Sequence, residues 1–85
     1  MELNSELERL RKYSVIEAAL VFAKLKHQDY PKDIFKQLAI MQEEAGEVTK
    51  AVLDYTDGKC SLNDVREELF QTAAMCMRML ENLEE

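Results

Sequence analysis

The chain has 85 residues, 47% of them hydrophobic, and a formal net charge of −6. One domain is what this length allows, and so small a domain buries only roughly 60% of the surface its unfolded chain exposes, which leaves a high apolar content for a partner chain to cover. The acidic balance argues against a nucleic-acid groove, which recruits stripes of Lys and Arg, and two Gly, one Pro and no Trp favour long helices over a many-stranded sheet.

The first helix is expected over residues 5–26. Its start is charged, but between Val15 and Ala23 every residue except Glu17 is apolar. A helix apolar nearly all round is buried on most sides, so this stretch is the candidate subunit interface. The alternative is an ordinary core helix of a monomeric three-helix bundle. The stretch from Val15 to Leu25 is too short to span a bilayer and carries Glu17 and Lys24, and no apolar leader precedes it, so a soluble, cytoplasmic protein is expected.

HQDYPKD interrupts the pattern, and Pro31 suits the first turn of a second helix over residues 32–56. Ile34, Leu38, Met41, Ala45, Val48, Val52 and Tyr55 follow at alternating spacings of four and three, a coiled-coil-like seam. A turn at TDGKCS comes next, with Gly58 fitted to the position just past a helix end and Ser61 and Asp64 forming a capping pair. The third helix, over residues 62–83, places Leu62, Val65, Leu69, Ala73, Cys76, Leu80 and Leu83 on one face. The acidic end, Glu81 to Glu85, reads as a fraying terminus. Cys60 and Cys76 match neither a zinc spacing nor a disulfide framework and read as reduced, structural thiols. The expected architecture is therefore all-α: a single three-helix domain packing into an oligomeric helical bundle.

The carboxylates divide by helical phase. Glu43 lines up with Lys36, Lys50, Asp54 and Asp57 on a polar stripe. Glu44 and Glu47 share a stripe with Ile40 and Ala51 and border the apolar seam, and residues three apart lie on one face. Two anions held that close repel unless a cation neutralises them, and oxygen-rich sites suit hard divalent cations. The alternative is a boundary pair bridged by Arg or Lys from another helix. Gly46, between them in mid-helix, costs about 1 kcal/mol relative to Ala and suggests close approach by a helix or ligand. On the third helix Glu68 also borders the seam, beside Asp64 and Gln71, whereas Glu67 aligns with Arg78 and Glu81 and is expected to face solvent. Two antiparallel helices each bringing Glu to the core edge make a cluster of oxygen ligands facing one cavity.

EEAGEVTKAV followed by VREELFQTAAMCMRML resembles the MazG-like, all-alpha nucleoside triphosphate pyrophosphohydrolases, specifically their short, prophage-type branch. The family pattern is E-x-x-E on one helix and E-x-x-D on the next. Glu44 and Glu47 occupy the first pair and Glu68 the third position, while Gln71 stands where Asp is usual, a replacement often found in that branch. The likeness covers roughly Pro31 to Leu83. It implies hydrolysis of a (deoxy)nucleoside triphosphate to monophosphate and pyrophosphate, with Mg²⁺ (Mn²⁺ as a possible substitute) held by Glu44, Glu47 and Glu68, and by Gln71 more weakly. Glu43 or another carboxylate would orient the water, and the chain would assemble as a dimer or tetramer. Asp64 is positioned to compensate for Gln71. Lys50 and Lys32 either meet phosphate or remain solvated helix lysines. Tyr30 is placed to stack on the base, His27 reads as a polar helix end, and Glu17 either reaches the site or pairs across an interface. The competing readings are a catalytically weak relative that binds nucleotide or a protein partner, and a plain helical bundle.

Overall fold

The computed structural model describes residues 2–83, and among them it holds three helices and no strand: α1 (Glu2–Lys26), α2 (Ile34–Thr56) and α3 (Leu62–Glu81). The all-α, three-helix expectation is met, with small changes at the ends. Residues Glu84 and Glu85 of the acidic end lie outside the described residues.

Helix α2 begins at Ile34 rather than at 32, because Asp33 is its cap. The Asp33 carboxylate accepts from the backbone N–H of Phe35 at 2.8 Å and of Lys36 at 3.2 Å, satisfying two donors that the first turn leaves orphaned. Pro31 therefore precedes the helix instead of sitting in its first turn. At the other end Gly58 adopts φ 72°, the left-handed conformation that only glycine takes without a Cβ penalty. Its N–H donates to the Tyr55 carbonyl at 3.0 Å while Lys59 N–H donates to Asp54 at 2.7 Å, a Schellman closure of the helix. Helix α3 then opens on the expected capping box: Asp64 N–H donates to Ser61 Oγ at 3.2 Å and Ser61 N–H donates to Asp64 Oδ2 at 2.8 Å. It closes at Glu81 with Asn82 as its cap rather than running on to 83.

Helix α3 is the centre of the molecule: α1 and α2 both pack on it and not on each other. The end of α1, the start of α2 and the end of α3 meet at one pole. Gln37, 1% exposed, donates from Nε2 to the Pro31 carbonyl at 2.9 Å and to Asn82 at 3.4 Å, tying the connector to both helices. From there α1 leaves along α3 as far as Ile16, and its first half, residues 2–15, lies exposed. The radius of gyration, 14.6 Å, is well above the ~12 Å of a compact chain of this length.

The packed faces differ from those expected. The buried apolar residues are only Leu20, Ala51, Ala74 and Met75. Helix α2 meets α3 through the side that carries Gln37, Ile40, Glu44 and Ala51. The heptad seam is rotated off that contact, with Ile34, Leu38, Val52 and Tyr55 exposed. The seam on α3 is displaced likewise: Leu62, Leu69, Cys76, Leu80 and Leu83 are exposed, and Cys76 is not a core thiol. Small side chains at Ala51 and Ala74 let the helices approach closely along the faces that do pack. On α1 the stretch Val15–Ala23 is split, with Ile16, Ala19, Leu20 and Ala23 turned toward α3 while Val15, Val21 and Phe22 stay exposed.

Candidate active site

The carboxylates of the sequence pattern sit on the antiparallel α2–α3 hairpin. Glu44 and Glu68 are half-buried, whereas Glu43, Glu47 and Glu67 are exposed. Burial raises the Glu44 pKa, and the neighbouring charges of Glu68, Glu43 and Glu47 raise it further, opposed only by His27. Four carboxylates on two helices therefore share one electrostatic neighbourhood centred on Glu44. The ion pairs among the described residues are Glu6–Arg9, Glu8–Arg11, Lys24–Glu81 and Lys50–Asp54. None involves Glu43, Glu44, Glu47 or Glu68, so no Arg or Lys bridges the acidic pair.

Two recesses flank these residues. A cleft of about 550 Å³ opens between the second half of α1 and the α2–α3 hairpin, lined by Lys26, His27, Asp29 and Tyr30 from the end of α1 and the connector, Glu43 and Glu44 from α2, and Gln71 and Arg78 from α3. A smaller recess of about 150 Å³ is lined by Glu47, Lys50, Asp54, Cys60, Asp64 and Glu68. The four expected ligands are thus shared out, Glu44 and Gln71 to the cleft and Glu47 and Glu68 to the recess one turn along α2. Among the described residues no three Asp, Glu, His or Cys side chains converge closely enough to hold a metal ion.

Asp64 is committed elsewhere. Its carboxylate accepts from both the N–H and the hydroxyl of Ser61, the latter at 2.9 Å, and these bonds hold its pKa below the usual range. It closes the α3 cap and is poorly free to replace the acid missing at Gln71. In the same recess Cys60 donates from Sγ to the Ala51 carbonyl at 3.3 Å, and burial with the Asp64 and Asp54 charges pushes its thiol pKa up. A bonded thiol with a raised pKa is a poor nucleophile.

Glu67 and Glu81 are exposed as their stripe implies, but Arg78, aligned with them, is buried. It is 4% exposed. Its Nη1 donates to the Ala23 carbonyl at 3.3 Å, which also accepts from the His27 N–H at 2.8 Å, and its Nη2 donates to the His27 carbonyl at 2.6 Å, just past the end of α1. No carboxylate pairs with it among the described residues, so it brings a net positive charge to the cleft wall. Its position one turn after Ala74 and Met75 is the only sequence signal of burial. Gln37 was likewise overlooked.

The remaining candidates separate cleanly. Tyr30 lines the cleft, and its hydroxyl is buried without a hydrogen-bond partner. Burial raises its pKa, with Arg78 acting in the opposite direction. His27 also lines the cleft. Lys50 lies on the small recess and pairs with Asp54 at 3.6 Å, whereas Lys32 and Glu17 are exposed and line neither space. No protein-family model, no curated protein and no solved structure matches the chain. No helix among the described residues is long and apolar enough to cross a membrane.

Proposed function

We propose that the chain is a Mg²⁺-dependent pyrophosphohydrolase that converts a (deoxy)nucleoside triphosphate to the monophosphate and pyrophosphate, working as a homo-oligomer in the cytoplasm. One observation carries this reading: Glu44, with its pKa raised among three further carboxylates that no Lys or Arg pairs with, lines one cleft with Arg78, Lys26, His27 and Tyr30. Carboxylates and cationic side chains lining one cleft suit a ligand that is an anion bridged by divalent cations. The resemblance of EEAGEV and REELFQ to the MazG-like pattern supplies the reaction class.

In this scheme Glu44, Glu47 and Glu68, divided here between the cleft and the small recess, would draw together to hold the ion, with the Gln71 amide oxygen as a neutral fourth donor. Mg²⁺ when bound supplies charge neutralisation at the phosphate oxygens and acidifies the attacking water. Glu43, at the cleft edge, orients that water and takes its proton. The water oxygen bonds to the α-phosphorus, the bond from that phosphorus to the bridging oxygen breaks, and pyrophosphate leaves with the electron pair. Arg78 and Lys26 offset the phosphate charge, and Tyr30, which lines the same cleft, lies beside the nucleoside.

A second reading is favoured by Gln71, by the capping role of Asp64 and by the division of the acids over two recesses: a relative that binds nucleotide without turnover. The two separate on a (d)NTP panel with Mg²⁺. Catalysis requires pyrophosphate release that falls at least roughly 100-fold in Glu44→Gln and in Glu68→Gln. Nucleotide-dependent thermal stabilisation without release supports binding alone.

A further inference from the structure

Two aromatic side chains, Phe22 and Tyr30, line the cleft. Tyr30 is largely engaged within the chain: the Arg78 guanidinium lies 4.5 Å over its ring, and its hydroxyl is buried. Phe22 is not. It is 66% exposed, although it sits on the half of α1 that packs against α3. Ala19, one turn before it, and Ala23, beside it, also line the cleft and are too small to cover a ring. Ile40 of α2 and Met75 of α3 add further apolar lining, and α1 and α2 do not pack on each other, so the space between them stays open. Lys26, four positions after Phe22 and about 6 Å from it between Cβ atoms, shares its side of the helix and lines the same cleft. An open aromatic ring among apolar side chains, one helical turn from a cation, suits a ligand with a flat apolar part joined to an anionic one.

We infer that Phe22 is the platform on which the base of the nucleotide stacks, with the phosphates turned toward Lys26. The inference rests on the reading of the cleft as a nucleotide site, and it gives Phe22 the selection of nucleotide over inorganic polyphosphate. Every base has a π face, so stacking favours a base-bearing substrate without choosing among bases. Tyr30, with its ring under Arg78, shapes the cleft instead of stacking. Phe22→Ala removes the platform but not the side chains that α1 turns toward α3, which are Ile16, Ala19, Leu20 and Ala23, and Ala is the better helix former.

Calorimetric titration of the full chain, with Mg²⁺ and the non-hydrolysable α,β-methylene analogues of the common deoxynucleoside triphosphates, tests it. Inorganic triphosphate serves as the probe that has no base. Phe22→Ala and Phe22→Leu are each expected to weaken binding of every analogue the wild type takes by about tenfold, while Phe22→Trp retains it. Inorganic triphosphate binds the wild type and all three variants alike. Tyr13→Ala, which removes an exposed aromatic of α1 that does not line the cleft, leaves analogue binding unchanged. Helicity by circular dichroism and mass by sedimentation stay those of the wild type throughout. Analogue binding retained in Phe22→Ala or Phe22→Leu, an equal loss of inorganic triphosphate, or a change of mass that marks Phe22 as a subunit contact overturns the assignment and leaves the nucleotide site standing. A wild type that binds no analogue overturns the site and the inference together.

Discussion

The Arg78 guanidinium stacks 4.5 Å over the ring of Tyr30 while its nitrogens bind the carbonyls of Ala23 and His27, so one side chain of α3 clamps the end of α1, the connector and the cleft wall together. Removing it strands the His27 carbonyl, takes the second donor from the Ala23 carbonyl and uncovers a ring face. Arg78→Ala is expected to cost about 3 kcal/mol, against ±0.5 kcal/mol for an ordinary surface substitution. Arg78→Lys, which keeps the charge but not the fork, loses less. Urea midpoints measure both, and a surface-sized effect for Arg78→Ala contradicts the clamp.

The α3 cap is reciprocal, and reciprocal bonds are not additive. Ser61→Ala and Asp64→Ala should each destabilise by about 1 kcal/mol, and the double variant by less than the combined loss. Full additivity in a double-mutant cycle shows that the two residues act separately.

Glu44 and Asp64 shift in opposite directions, and so do their contributions to stability against pH. Glu44 has its folded-state pKa above the unfolded value, so the stability tied to its protonated form is fully present below the ordinary glutamate range and is lost as pH rises through the raised value. Asp64 has its folded-state pKa lowered, so its contribution is present above the ordinary aspartate range and is lost as pH falls through the lowered value. Glu44→Gln should remove the decline on the alkaline side of the carboxylate range and leave the acid limb unchanged. Urea unfolding across pH without divalent ions reads both limbs, and an unaltered alkaline limb in Glu44→Gln contradicts the carboxylate cluster.

Gln71 faces the cleft beside Glu44, while Asp64 is held in the cap. Gln71→Asp should therefore tighten Mg²⁺ binding by roughly tenfold, because ligand charge sets divalent affinity. Calorimetric titration checks this, and unchanged or weaker binding places the ion away from Gln71.

The caps, the turn at Gly58 and the three helices were legible because each depends on residues a few positions apart. Ser61 and Asp64 make their box, and Gly58 its left-handed turn, whatever the rest of the chain does. What failed was the identity of the packed faces. A four–three spacing from Ile34 to Tyr55 states that one side of α2 avoids water, but not whether the cover comes from the same chain. The burial of Arg78 was not legible for a related reason: its partners are the backbone carbonyls of Ala23 in α1 and His27 just past it, which no side-chain pattern reveals. Glu44 and Glu68 border the core as their phase suggested. Glu47 does not, because α2 is rotated to bring Gln37, Glu44 and Ala51 onto α3.

Pyrophosphate release from a (d)NTP panel with Mg²⁺, run side by side on the wild type and Glu44→Gln, tests the proposed reaction most directly. The account predicts monophosphate and pyrophosphate in equal amounts from at least one nucleotide, dependent on the divalent ion and lost in the variant. No release from any nucleotide with Mg²⁺ or Mn²⁺, or release that survives Glu44→Gln, contradicts it.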